Sequence, residues 1–117
     1  MRTPFVFLTF LTAAFLCSPV SAQLKPGNVD NGKRLFMFNG CYQCHGTLGQ
    51  GGAAGARLAQ TKLTQQGFIA FVRNPPPSNM PPYRAKIMPD QELVDVYAYV
   101  QTFPVPLNPA NIPLLKP

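Results

Sequence analysis

The sequence predicts an all-α domain, and three observations lead there. Apolar residues recur at helical spacing in three segments, which begin near Val29, Thr64 and Asp90. No run of useful length has the alternation or clustering of a strand, and no internal repeat is present. The stretches between the helical segments are crowded with glycine or proline, which end helices and suit loops. At 117 residues the chain holds one domain at most.

Residues 1–22 read as a cleavable leader. Arg2 supplies a positive start, residues 5–17 form an apolar run broken only by Thr9 and Thr12, and Val20-Ser21-Ala22 is a small-residue cleavage signal. Spanning a bilayer takes about 20 apolar residues, and Ser18-Pro19 stops this run short of that. Cys17 follows the bulky Leu16, so it reads as part of the apolar run and not as a lipid attachment point. Cleavage after Ala22 predicts export to the periplasm of a Gram-negative bacterium and leaves 95 residues, a size at which an apolar core alone is thin.

The whole chain carries a formal charge of +6; without the leader, nine Lys and Arg oppose Asp30, Asp90, Glu92 and Asp95, a formal +5. A modest basic excess on a small diffusing protein can steer docking to acidic partners. The basic residues are scattered and the address is extracytoplasmic, which argues against nucleic acid. Once the leader is gone, no segment would span a membrane.

The first helix starts from Val29, capped by Asn28 or Asp30, with Val29, Gly32, Leu35 and Phe36 at helical spacing. Gly32 weakens a helix by roughly 1 kcal/mol relative to Ala, so it calls for a packing reason such as a close helix crossing. Asn39-Gly40 ends this helix. Residues 46–59 hold five glycines, too many for a regular element, and read as a compact functional loop. The second helix begins at Thr64, whose hydroxyl can cap it while Leu63 and Phe68 form a hydrophobic staple. Phe68, Phe71 and Val72 give it an apolar face, and Asn74-Pro75 ends it. Residues 75–83, with five prolines, form a stiff extended segment around Met80. The last helix covers residues 90–102, with Leu93, Val96, Tyr97 and Val100 on one face and Asp90 and Glu92 in its first turn. Pro104 closes it. The domain therefore covers residues 23–103, and residues 104–117, again with five prolines, read as an extended polyproline-like tail.

Between the first helix and the glycine loop lies Cys41-Tyr42-Gln43-Cys44-His45. Cysteines three apart face one side of a helical turn, and the histidine follows at once. That geometry suits a haem, whose two vinyl groups can be trapped as thioethers and whose iron needs an axial nitrogen; C-x-x-C-H is the c-type haem attachment motif. Zinc would need four ligands, yet the only other cysteine is Cys17 and no second histidine exists. A thioredoxin-like redox pair would need a strand-rich setting that the chain lacks. With His45 the only histidine, bis-histidine ligation within one chain is excluded. Of the mature methionines, Met37 and Met88 read as core fillers. Met80, held between stiff proline segments, is the candidate sixth ligand. One covalent haem c would thus be bound by Cys41, Cys44, His45 and Met80, with His45 and Met80 on the metal.

In order along the chain, Gly32-x-x-x-Phe36, Cys41-x-x-Cys44-His45, Gly55-x-x-Leu58, Met80-Pro81-Pro82-Tyr83 and residues 93–99 resemble a class I c-type cytochrome over nearly all of the mature length. The resemblance implies a cytochrome c fold, with three main helices wrapped on the haem and the N- and C-terminal helices crossing where Gly32 and Phe36 meet Tyr99. It implies Met80 as the axial ligand. One departure stands out: where the family usually has a proline whose carbonyl accepts a hydrogen bond from the haem histidine, this chain has Ala56. Tyr83, Arg57 and Arg73 are candidates to bind haem propionates, or equally plain surface residues.

With both axial positions filled, oxygen and peroxide have no place on the iron, which favours electron transfer over catalysis. The expected function is an exported monohaem electron carrier between redox partner proteins such as a dehydrogenase or an oxidase, and not an enzyme. The alternatives are a dedicated electron-transfer subunit of a periplasmic dehydrogenase, for which the apolar tail argues, and a haem sensor with a displaceable sixth ligand. A haem-free thiol–disulfide pair at Cys41 and Cys44 is a further one.

Overall fold

A computed structural model describes residues 23–77, 79–105 and 107–115. The expected leader at residues 1–22, Cys17 included, lies outside the described residues. The described chain holds four α-helices: α1 Val29–Phe38, α2 Cys41–His45, α3 Gln65–Arg73 and α4 Asp90–Val100. No strand occurs among the described residues, and an isolated bridge between Gly52 and Gly55 is the only β-pairing there. This is the all-α architecture that the sequence predicts, with the short α2 carrying the cysteine–histidine motif between two of the three main helices.

Asn28, not Asp30, caps α1: its side chain accepts from the Asn31 N–H at 2.9 Å, which satisfies one of the unpaired donors of the first turn. The far end closes at Asn39, whose backbone and side-chain N–H groups both reach the Leu35 carbonyl at 2.9 Å. In α3 the Thr64 hydroxyl accepts from the Gly67 N–H at 3.1 Å, as the sequence predicts. Phe68 and Val72 are buried on the apolar face of this helix, and Phe71, on the same face, is 44% exposed.

The dominant packing is α1 across α4. A Cβ at Gly32 would stand 1.9 Å from the Asp95 carbonyl oxygen and 2.9 Å from the Tyr99 Cβ, so only glycine allows the two backbones this close. The weak helix former is thus explained by the crossing, and Phe36, fully buried, meets the Tyr99 ring edge-on with centroids 5.6 Å apart. Phe103, just past α4, completes an aromatic triad at 5.5 Å from Phe36 and 4.9 Å from Tyr99. Each such edge-to-face pair adds about 0.5–1.5 kcal/mol beyond simple burial. Around it lie Leu35, Phe68, Val72, Leu93, Val96 and Val100.

Two features of the crossing carry no signal in the hydrophobic pattern. Phe103 lies beyond the last helical turn, and Asp95 is buried on α4. The Asp95 carboxylate accepts from the Asn28 N–H at 2.9 Å and from the Asn31 amide at 2.7 Å, tying α4 to the start of α1. Burial alone would raise its pKa; these two bonds and a third from the Gln91 amide overcome that and hold the carboxyl below its ordinary value of 3.8.

The tail departs from expectation. Instead of running extended throughout, it folds into two short 3-10 turns, Pro109–Asn111 and Pro113–Leu115, which proline-rich sequence permits because each turn needs few backbone donors. Val105, Leu107 and Leu114 are 70–94% exposed. Among the described residues no helix is long and apolar enough to cross a membrane.

Candidate haem site

α2 is positioned by what flanks it. The Gly40 carbonyl receives the Gln43 N–H at 3.0 Å, so one chain reversal both ends α1 and starts α2. The helix presents Cys41, Cys44 and His45, all half-buried, to a cleft of about 550 Å3. Met80 lines the same cleft. A smaller cavity of about 160 Å3 shares Cys41, His45 and Met80 with it and reaches the core at Phe68 and Leu93. The larger volume alone falls in the roughly 300–1,000 Å3 range of sites for cofactor-sized ligands. All four predicted site residues therefore come together, although Met80 is 35 residues from His45 in sequence.

The glycine-rich loop is compact and fixes the histidine. His45 Nδ1 lies 2.6 Å from the Ala56 carbonyl oxygen. A carbonyl can only accept, so Nδ1 carries the proton and Nε2 keeps its lone pair for a metal. The bond expected of a proline carbonyl at this position thus survives the change to Ala56. Its geometry depends on Gly55, where a Cβ would fall 2.7 Å from the Cys44 carbonyl oxygen. The loop can lie on α2 only because that atom is missing. Further ties run from the Gly51 N–H to the His45 carbonyl at 2.9 Å and from the Leu58 and Ala59 N–H groups to the Gly49 carbonyl.

The donor set fits a haem and fits the alternatives poorly. Among the described residues no three His, Cys, Asp or Glu side chains cluster to hold a bare metal ion. Burial pushes the Cys41 thiol up to about 11, with repulsion from Cys44 adding and a backbone hydrogen bond opposing. Met88, 2% exposed, is the core filler that its sequence position implies; Met37 is 40% exposed and is not.

Two of the three propionate candidates, Arg73 and Tyr83, have protein partners. Arg73 gives one arm of its guanidinium to the Tyr83 carbonyl at 2.5 Å and the other to the Asp90 carboxylate. The Tyr83 hydroxyl donates to the Asn39 carbonyl at 3.0 Å. Burial raises the phenol above its ordinary value, with smaller contributions from Cys41 and Cys44, so it stays a donor at neutral pH. Arg57, exposed, borders the smaller cavity. Asn39 and Asp90 thus serve the site at second hand, through partners 44 and 17 residues away that no local pattern would flag.

An all-α domain with a C-x-x-C-H turn on an apolar cleft defines a c-type cytochrome. The family model described as cytochrome c oxidase, cbb3-type, subunit III matches residues 27–100, and the chain belongs to that family. It therefore carries covalent haem c and works by haem-based electron transfer. Comparison with curated proteins finds no match, and comparison with solved structures finds none either.

Proposed function

We propose that this protein is an exported monohaem cytochrome that passes single electrons between redox partners. Cys41 and Cys44 would hold the haem through two thioether links, and His45 and Met80 would hold its iron. The observation that carries the reading is the convergence of these four side chains on one cleft, with His45 already oriented by the Ala56 carbonyl. Bound there, the haem supplies an iron that alternates between ferric and ferrous states. The chain's own part is to hold His45 by its Nδ1–H, to offer a soft neutral sulfur from Met80 that favours the ferrous state, and to wall out water with Phe71, Leu58 and Leu93. Residues 1–22 serve as the export leader, residues 23–103 as the haem domain and residues 104–117 as a tail outside it.

With both axial positions filled, the reduced protein should not bind carbon monoxide at neutral pH. Ready binding would point instead to a haem sensor with a displaceable ligand. Colour that survives acid–acetone extraction checks the covalent links.

A second reading, a dedicated subunit of a periplasmic dehydrogenase or similar respiratory complex, draws on the exposure of Val105, Leu107 and Leu114, which leaves these side chains for another surface. The matched family's description, an oxidase subunit, is of the same kind. Deleting residues 110–117 separates the two readings. Loss of a co-purifying redox enzyme with an unchanged haem spectrum supports the subunit; unchanged electron exchange with diffusing partners supports the free carrier.

A further inference from the structure

Tyr83 is three residues beyond Met80, and only Pro81 and Pro82 lie between them. Prolines fix their own φ and restrict the residue before them, so whatever anchors Tyr83 limits where Met80 can go. Tyr83 is anchored at three points. Its N–H donates to the Val72 carbonyl at 3.1 Å, one of the unpaired acceptors at the end of α3. Its hydroxyl reaches the Asn39 carbonyl at the end of α1. Its carbonyl accepts from Arg73, whose other arm holds Asp90 in the first turn of α4. Arg73 closes the loop of residues 74–83 at its two ends and joins it to both helices that flank it.

We infer that Arg73 is a positioning residue for the sixth ligand: it clasps the segment carrying Met80 and keeps the thioether from leaving the iron. The inference rests on the reading of Met80 as axial ligand. A guanidinium is suited to this task because its planar fork holds two acceptors in a fixed relation. Lysine, a single point donor, would keep the charge and lose one of the two contacts. The arrangement also gives Arg73 a task other than binding a haem carboxylate.

The test is a titration of the ferric holo-protein with imidazole, which binds only where the methionine has left. Apparent affinity then follows the fraction of open molecules. Arg73→Ala should raise imidazole affinity about tenfold or more, the change in open population expected from losing one charged hydrogen bond. It should also weaken the iron–thioether charge-transfer band at neutral pH. Arg73→Lys should fall between it and the wild type. Asp95→Asn, which loosens the α1–α4 crossing through Asn28, Asn31 and Gln91 and removes no partner of Arg73 or Tyr83, should lower the melting temperature and leave imidazole affinity within about twofold of wild type.

If Arg73→Ala keeps wild-type imidazole affinity, the inference is overturned, whatever its melting temperature. A changed reduction potential without changed imidazole affinity overturns it too, and points to the haem carboxylates. Should the alanine variant fail to accumulate, Arg73→Lys and Asp90→Asn decide by the same criterion. Met80→Ala, run in parallel, separates the two layers. Wild-type band and affinity in that variant would sink the ligand assignment and the clasp with it. A changed Met80 variant beside an unchanged Arg73 variant sinks the clasp alone.

Discussion

The two sides of this domain are held together differently. At the α1–α4 crossing, backbones touch through Gly32, an aromatic triad fills the space beside them, and a buried carboxylate ties the helix ends together. On the cleft side the same core continues but is bordered by loops, to which the buried Ala59 and Met88 belong. The loops of residues 46–64 and 74–89 are held by a handful of hydrogen bonds, and their apolar walls face a cavity. The crossing joins two helices directly, whereas the cleft is framed by loops around α2 and α3.

Substitutions should separate the two sides by the size of their effects. Gly32→Val should have the largest, because a side chain there collides with backbone and cannot be absorbed by a rotamer change. We expect a loss of about 3 kcal/mol or more, seen as little folded holo-protein and a sharply lower melting temperature. A wild-type haem yield and melting temperature would show that the helices can part without cost.

Gly55→Ala should come next, at about 1–3 kcal/mol, since the loop must lift from α2. Its distinctive sign is a change in the haem spectrum as the His45–Ala56 bond lengthens, while the crossing stays intact by near-ultraviolet circular dichroism. An altered aromatic signal would mean that the two sides are less separate than the contacts imply.

Asp95→Asn should cost about 1–3 kcal/mol at neutral pH by setting an amide donor among donors. It should also change the response to acid. The folded carboxyl is more acidic than its ordinary value of 3.8, so its contribution is complete above that pH and disappears as pH falls through the lower folded value. The asparagine variant should lose that part of the acid dependence in a melting-temperature profile; a parallel pair of profiles would be evidence against the tie. Leu114→Ser, on the exposed tail, should change stability by less than about 0.5 kcal/mol.

The same division governs what the sequence reveals. Helices, caps and the crossing glycine obey local rules, and Asn28, Gly32, Thr64 and Asn39-Gly40 are found where those rules put them. The cysteine–histidine turn is legible for the same reason, since three residues of fixed spacing carry its chemistry. Phe71 lines the cleft while Phe68 and Val72 fill the core, a division that helical spacing cannot show because both surroundings are apolar. Asp95 is hidden because a charged residue reads as solvated until its three donors are seen. Arg73 and Tyr83 offer polar groups whose protein partners, the Tyr83 carbonyl, Asp90 and the Asn39 carbonyl, are distant in sequence and appear only in the tertiary structure.

Closure of the iron by His45 and Met80, as proposed for a one-electron carrier, is open to experiment. Its most direct measurement is spectroelectrochemistry of the holo-protein beside Met80→Ala. The wild type should show the weak charge-transfer band of an iron–thioether bond, and the variant should lose it, shift to a lower reduction potential and bind carbon monoxide when reduced. A variant that retained the band and the wild-type potential would contradict it.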